Sequence, residues 1–207
     1  PVALGLALFA FAALAVDYLR AVRQRRAQLR EPLGQALVRT VLGNRRHYGG
    51  MVVHLGILVI ALGLVGSGLF RSERAVSMAP GDVLEIGSER LRFDGVRQLR
   101  RDNYQAVQGQ FMLLQSGRAV HPERRRYPRQ EAPTTETGID STLLRDVYVV
   151  LGESTRDDQW AVHVYHNPLV QFIWYGGGII LVGLSLGLSG RRQRTRATAP
   201  AAVAPVQ

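Results

Sequence analysis

Tyr48–Phe70 reads YGGMVVHLGILVIALGLVGSGLF, with no Asp, Glu, Lys or Arg. At a helical rise of about 1.5 Å per residue this run crosses the roughly 30 Å of a bilayer's hydrocarbon core. Two further runs have the same character. Leu169–Leu188 (LVQFIWYGGGIILVGLSLGL) is also long enough to span. Pro1–Val16 (PVALGLALFAFAALAV) is short for a span. It lacks the charged start and cleavage site of a signal peptide, so it reads as a helix truncated at its start, and the chain as the later part of a longer protein.

The charges set an orientation. All 26 basic residues of this 207-residue chain are Arg, against 16 acids, giving +10. Asp17–His47 carries +6 and the tail beyond Leu188 carries +4, while Arg71–Asn167 is neutral. Basic segments are retained on the cytoplasmic side. The expected order is therefore a transmembrane helix over 1–17, a cytoplasmic basic loop over 18–47, and a transmembrane helix over 48–70. An outer domain over 71–167, a transmembrane helix over 168–188 and a cytoplasmic disordered tail over 189–207 complete it. The arginines flank apolar spans, which argues against nucleic-acid binding. The absence of Cys excludes thiolate metal sites, disulfides and a cysteine nucleophile.

The outer insert shows short β-prone runs between turn residues: Val83–Ile86, Arg90–Val96, Tyr104–Leu114, Val147–Leu151 and Trp160–Tyr165. His121–Arg129 and the stretch from Pro133 to Asp140 read as connections. The predicted fold class is a membrane protein with α-helical transmembrane spans and an extracytoplasmic all-β domain, sandwich or barrel-like. His163 and His166 are three apart in an extended run, so they face opposite ways and make a poor metal pair. With His121 they read as surface or edge histidines. Arg124-Arg125-Arg126 reads either as a grip for an acidic partner or as a solvated cluster.

His54 stands apart, because an ionisable group inside a span marks a functional site by default. It is either a ligand or proton relay, or a structural group bonded to a neighbouring helix. At 100° per residue, Gly50, Leu58, Ala61, Val65 and Gly68 fall within about 40° of it. That shallow furrow suits a flat ligand, and neutral imidazole is an axial ligand of haem iron. Gly49, Gly56 and Gly63 form a stripe on the opposite face. They are expected, with Gly183 and Gly187 of the third span, to serve close helix packing. His47, on an Arg-rich edge, reads as interfacial.

The segments Tyr48–Gly56 (YGGMVVHLG), Arg126–Gly152 (with Ile139-Asp140, Arg145-Asp146 and Tyr148) and Trp160–Gly178 (WAVHVYHNPLVQFIWYGGG) together resemble the C-terminal part of CcmF, the cytochrome c haem lyase subunit of cytochrome c maturation. His163 and Asn167 stand where that family's pattern has basic residues. The resemblance implies an inner-membrane protein with its β domain in the periplasm. It implies a membrane-embedded b-type haem whose iron takes His54 as one axial ligand, the second lying outside this chain. That haem would pass electrons, with quinol as donor, to haem bound for apocytochrome c. The implied partners are the haem chaperone CcmE, subunits of the CcmH and CcmI kind, and the remaining N-terminal part of the lyase. The chain has no tryptophan-rich haem-handling motif and offers no nucleophile or general base, so it is not expected to perform ligation alone. An alternative reading is a membrane-anchored docking module for apocytochrome or maturation partners, without a cofactor of its own. A transporter fragment ranks below both, because paired broken helices are not apparent.

Overall fold

The computed structural model describes residues 2–130, 132–155 and 158–190. The disordered tail expected over 189–207 therefore lies almost wholly outside the described residues.

Four helices and ten strands follow the chain: α1 (Val2–Leu29), α2 (Leu33–Gly43), α3 (Arg45–Leu69), β1 (Ser72–Met78), β2 (Val83–Ile86), β3 (Glu89–Arg100), β4 (Gln105–Leu113), β5 (Arg118–Val120), β6 (Glu123–Arg126), β7 (Thr134–Glu136), β8 (Gly138–Ser141), β9 (Arg145–Ser154), β10 (Trp160–Pro168) and α4 (Gln171–Ser189). Three helices are long and apolar enough to cross a membrane, over Gly5–Leu29, Arg45–Leu69 and Gln171–Ser189. The chain falls into two compact units, Gly63–Phe172 and the helical remainder.

In the helical unit the basic stretch after the first apolar run is itself helical. Pro32 fixes the turn into α2, since the residue before a proline is pushed out of the helical region. Glu31 sits in that turn between Arg25 at 2.9 Å and Arg39 at 2.8 Å. The Arg25 guanidinium, then Arg39, hold its carboxyl below the ordinary range. Val22 and Ala36 are buried where α1 meets α2, and the Tyr18 hydroxyl donates to the Leu37 carbonyl at 3.0 Å.

The glycine stripe of α3 packs as its spacing predicts. A Cβ added to Gly56 would lie 2.7 Å from the Gly176 carbonyl oxygen, and one added to Gly176 would lie 2.5 Å from that of Gly56. At Gly49 the obstacles are Gly187 N at 2.6 Å and the Gly183 oxygen at 2.8 Å. Backbone therefore meets backbone, which no side chain would permit. Glycine inside a helix costs about 1 kcal/mol relative to Ala, and close approach is its compensation here.

The other unit is a sandwich, which decides between the two all-β options. One sheet has the order β1-β10-β9-β8. The other runs β2-β3-β4-β6-β7, with β5 also on β4. Val147, Val149, Leu151, Val162 and Val164 face inward from the first, and Leu91, Phe93, Phe111 and Leu113 from the second. Phe93 and Phe111 stack at 4.8 Å. The strands expected from β propensity are all present. Strands β1, β6, β7 and β8 lie in stretches without alternating apolar residues. Strand β6 is Glu-Arg-Arg-Arg, and it forms by backbone pairing to β4 and β7 inside segments read as connections.

Charges also cross the core. Arg145 is buried and reaches Glu89 of β3 at 2.6 Å. It also pairs with Asp140 of β8, which Arg118 holds from the other side at 3.0 Å. This links the two sheets by a desolvated ion cluster.

Two outcomes follow. Gly183→Val should destabilise the helical unit in detergent by about 1–3 kcal/mol, while Gly178→Ala, where nothing lies within 4 Å, should leave its thermal unfolding unchanged or raised. Arg145→Leu should cost the sandwich about 3–5 kcal/mol by leaving the buried Glu89 carboxylate unpaired and Asp140 with Arg118 alone, read as an earlier unfolding midpoint in urea.

Candidate functional site

The site in the helical unit is the face of α3 that carries His54. Gly56 lies about 160° round the helix from His54. Packing the glycine stripe against α4 thus turns the imidazole outward, and His54 is exposed. Its Nδ1 lies 2.7 Å from the carbonyl oxygen of Gly50, one turn back. A carbonyl can only accept, so Nδ1 carries a proton, and in the neutral ring the lone pair is then on Nε2. Nε2 has no hydrogen-bond partner among the described residues. This is the arrangement of a metal-ligating histidine, in which a bond from one ring nitrogen fixes tautomer and ring orientation for the other.

The surroundings leave room for a flat group. Nothing lies within 4 Å of a Cβ placed on Gly50 or Gly68. Leu58, Ala61 and Val65 are only part-buried. These residues fit an iron porphyrin bound through one axial imidazole. Among the described residues no group of three or more His, Cys, Asp or Glu is placed to hold a metal ion. His47 is exposed and packs edge-on to Tyr48 at 5.0 Å.

In the sandwich, His121 and His163 are exposed. His166 is not a surface or edge histidine. Strand β10 pairs on both sides, with β1 and β9, and His166 continues the inward alternation of Val162 and Val164. It is 7% exposed, and neither ring nitrogen has a hydrogen-bond partner among the described residues. A Cβ on Gly87 would lie 2.7 Å from its Nδ1, and Gly87 has φ +56, so both space and backbone require glycine there. Burial away from water, and then the charge of Arg145, push the imidazole below its ordinary range, with Glu89 opposing. Glu89, Asp140, Arg145 and His166 form a buried polar group that apolar patterning could not reveal. Its only trace in the sequence is the pair of acid-bearing motifs, Ile139-Asp140 and Arg145-Asp146, just before the VYVVL run.

Apolar helices before and after an inserted β-sandwich define a class of membrane protein. A family model described as the CcmF C-terminal beta-sandwich matches residues 69–168. The cytochrome c-type biogenesis protein CcmF of Pseudomonas aeruginosa is 37% identical over 155 residues, 73% of this chain and 24% of that protein. The protein ccl1 of Rhodobacter capsulatus, of the same description, is 35% identical over 192 residues, 91% of this chain and 28% of that protein. A solved structure of a cytochrome c heme lyase CcmF superposes with a TM-score of 0.59 over 87% of this chain and 34% of that one, at 20% identity, which establishes the shared fold.

The chain belongs to the CcmF family of cytochrome c-type biogenesis proteins and corresponds to its C-terminal region. It spans about a quarter of the length of the curated relatives it matches.

The lowered affinity of His166 for protons fixes a sign. The folded state binds a proton less readily than the unfolded chain, whose imidazole titrates near 6.5. The stability this contributes is complete above about pH 6.5 and is lost as pH falls toward the lowered folded value. Between pH 7 and 5.5 the sandwich should unfold at progressively lower denaturant, and His166→Gln should flatten that dependence relative to the parent chain.

Proposed function

We propose that this chain supplies one axial ligand, His54 Nε2, to a b-type haem held within the membrane by the complete CcmF-family protein. The observation that carries the reading is the 2.7 Å bond from Nδ1 to the Gly50 carbonyl, which orients the imidazole and leaves Nε2 directed away from the glycine-packed face. Gly50 and the low side chains along the same face would admit the ring edge. Bound there, haem supplies reversible one-electron chemistry, the kind needed to keep haem reduced for attachment to apocytochrome c. The second axial histidine would come from the part of the protein upstream of these helices.

In the same reading the protein lies in the inner membrane with the sandwich on the periplasmic side. The charge ledger supports this, because the two strongly basic segments flank apolar helices on one side and the neutral insert lies on the other. Haem delivered by CcmE, apocytochrome c, subunits of the CcmH and CcmI kind, and quinol as reductant are the partners this assignment brings with it.

In the full-length protein, His54→Ala should abolish the b-type haem absorbance while helical content stays constant by circular dichroism. Gly50→Leu, which fills the furrow but keeps the imidazole, should lower haem content by pyridine haemochrome assay. A normal haem spectrum in His54→Ala contradicts the ligand assignment.

A further inference from the structure

The strand alternation of β6 resolves the three consecutive arginines into two roles. Arg125 turns to one face, where it pairs with Glu123 at 2.8 Å and Glu136 at 3.2 Å and lies over the Tyr104 ring. Arg124 and Arg126 turn to the other. There Gln105 pairs in register with both Arg100 of β3 and Arg126 of β6, so these three side chains share one rung. Arg124 stands opposite Val107, two positions further in.

This rung floors a cleft of about 630 Å³ at one end of the sandwich. Glu153 and Trp160, from the ends of β9 and β10, line its other side. A second depression of about 390 Å³ shares Arg100, Gln105 and Arg126 and continues past Arg101 and Tyr127. The two together form a groove, not a single-anion pocket. It opens at the end of β10 remote from Pro168.

The groove is basic and rich in donors. Among the described residues, Arg100 and Arg126 have no ion-pair or hydrogen-bonded side-chain partner. Arg124 does have one: its Nη2 holds the Glu153 carboxylate at 2.5 Å, with Arg124 mostly buried and the Glu153 side chain 77% exposed. The domain's own carboxylate thus sits where a ligand carboxylate would, on a side chain free to swing out. Planar guanidiniums favour carboxylates, which they bind through paired hydrogen bonds, and the half-buried Trp160 and Tyr127 rings that line the groove offer apolar surface to a chain lying along it.

We propose that this mouth of the sandwich binds an extended acidic segment of a partner polypeptide, with carboxylates on Arg100 and Arg126 and a further one displacing Glu153 from Arg124. The inference is independent of haem ligation by His54, since it concerns the sandwich alone.

The test uses the whole chain in detergent and a fluorescein-labelled decapeptide of alternating Glu and Ala, with a Gln-for-Glu peptide as control. Anisotropy at low salt should show binding of the Glu peptide only. Arg100→Gln/Arg126→Gln should weaken it by about tenfold or more, Glu153→Gln should tighten it, and Arg74→Gln, on β1, should leave it unchanged. Circular dichroism confirms that each variant is folded. The proposal is overturned by no measurable binding, by equal binding to the double variant, or by an unaltered or weaker Glu153→Gln. It is likewise overturned if the Gln peptide binds as well, or if inorganic phosphate competes at the peptide's own concentration.

Discussion

Gly56 on α3 and Gly176 on α4 meet with their backbones so close that a single methyl group on either would collide with a carbonyl oxygen. Gly49 and Gly183 repeat the contact two turns away. In a lipid environment no hydrophobic force draws helices together, so this intimacy rests on van der Waals contact along small residues. Its consequence is rotational. A helix pinned by one face has no freedom about its axis, and whatever stands opposite that face is presented outward. On α3 the residue presented is His54, and its bond to Gly50 then removes the remaining freedom of the ring. Packing on one side of a helix thereby fixes which side chain is presented on the other.

The sandwich is built on a different balance. An aliphatic and aromatic core lies between its two sheets, and the desolvated Arg145, paired with Asp140 in its own sheet, joins them through Glu89 of the other. Such clusters add little net stability, because desolvation offsets the attraction, but they penalise any register that leaves one member alone. Arg145 sits two residues before Val147, the first of the inward aliphatics on β9. The cluster therefore fixes how β8 and β9 are staggered against β3. Burial of the neighbouring His166 in that setting lowers its affinity for protons.

The apolar spans, their lengths and the β character of the insert were legible because each is a pattern repeated over many residues. The packing stripe was legible for the same reason: glycines seven apart lie on one side of a helix. Strand β6 was not, since Glu-Arg-Arg-Arg has no apolar alternation and is held by pairing with strands distant in sequence. Its arginines could be assigned to faces only once that pairing was known. His166 was opaque in the same way. Three-residue spacing from His163 correctly separates their faces, but which face is the core depends on β10 lying inside its sheet. His54 was visible from chemistry alone, as an ionisable group amid hydrocarbon, whereas the nitrogen available to a metal emerged only from the Gly50 bond.

The central claim is that the His54 ring itself completes an iron coordination sphere. Deleting the side chain and returning the ring separately tests this most directly. In full-length protein carrying His54→Gly, millimolar free imidazole should restore the low-spin b-type spectrum that the substitution removes. A spectrum unaffected by imidazole, or never lost on substitution, would contradict the account.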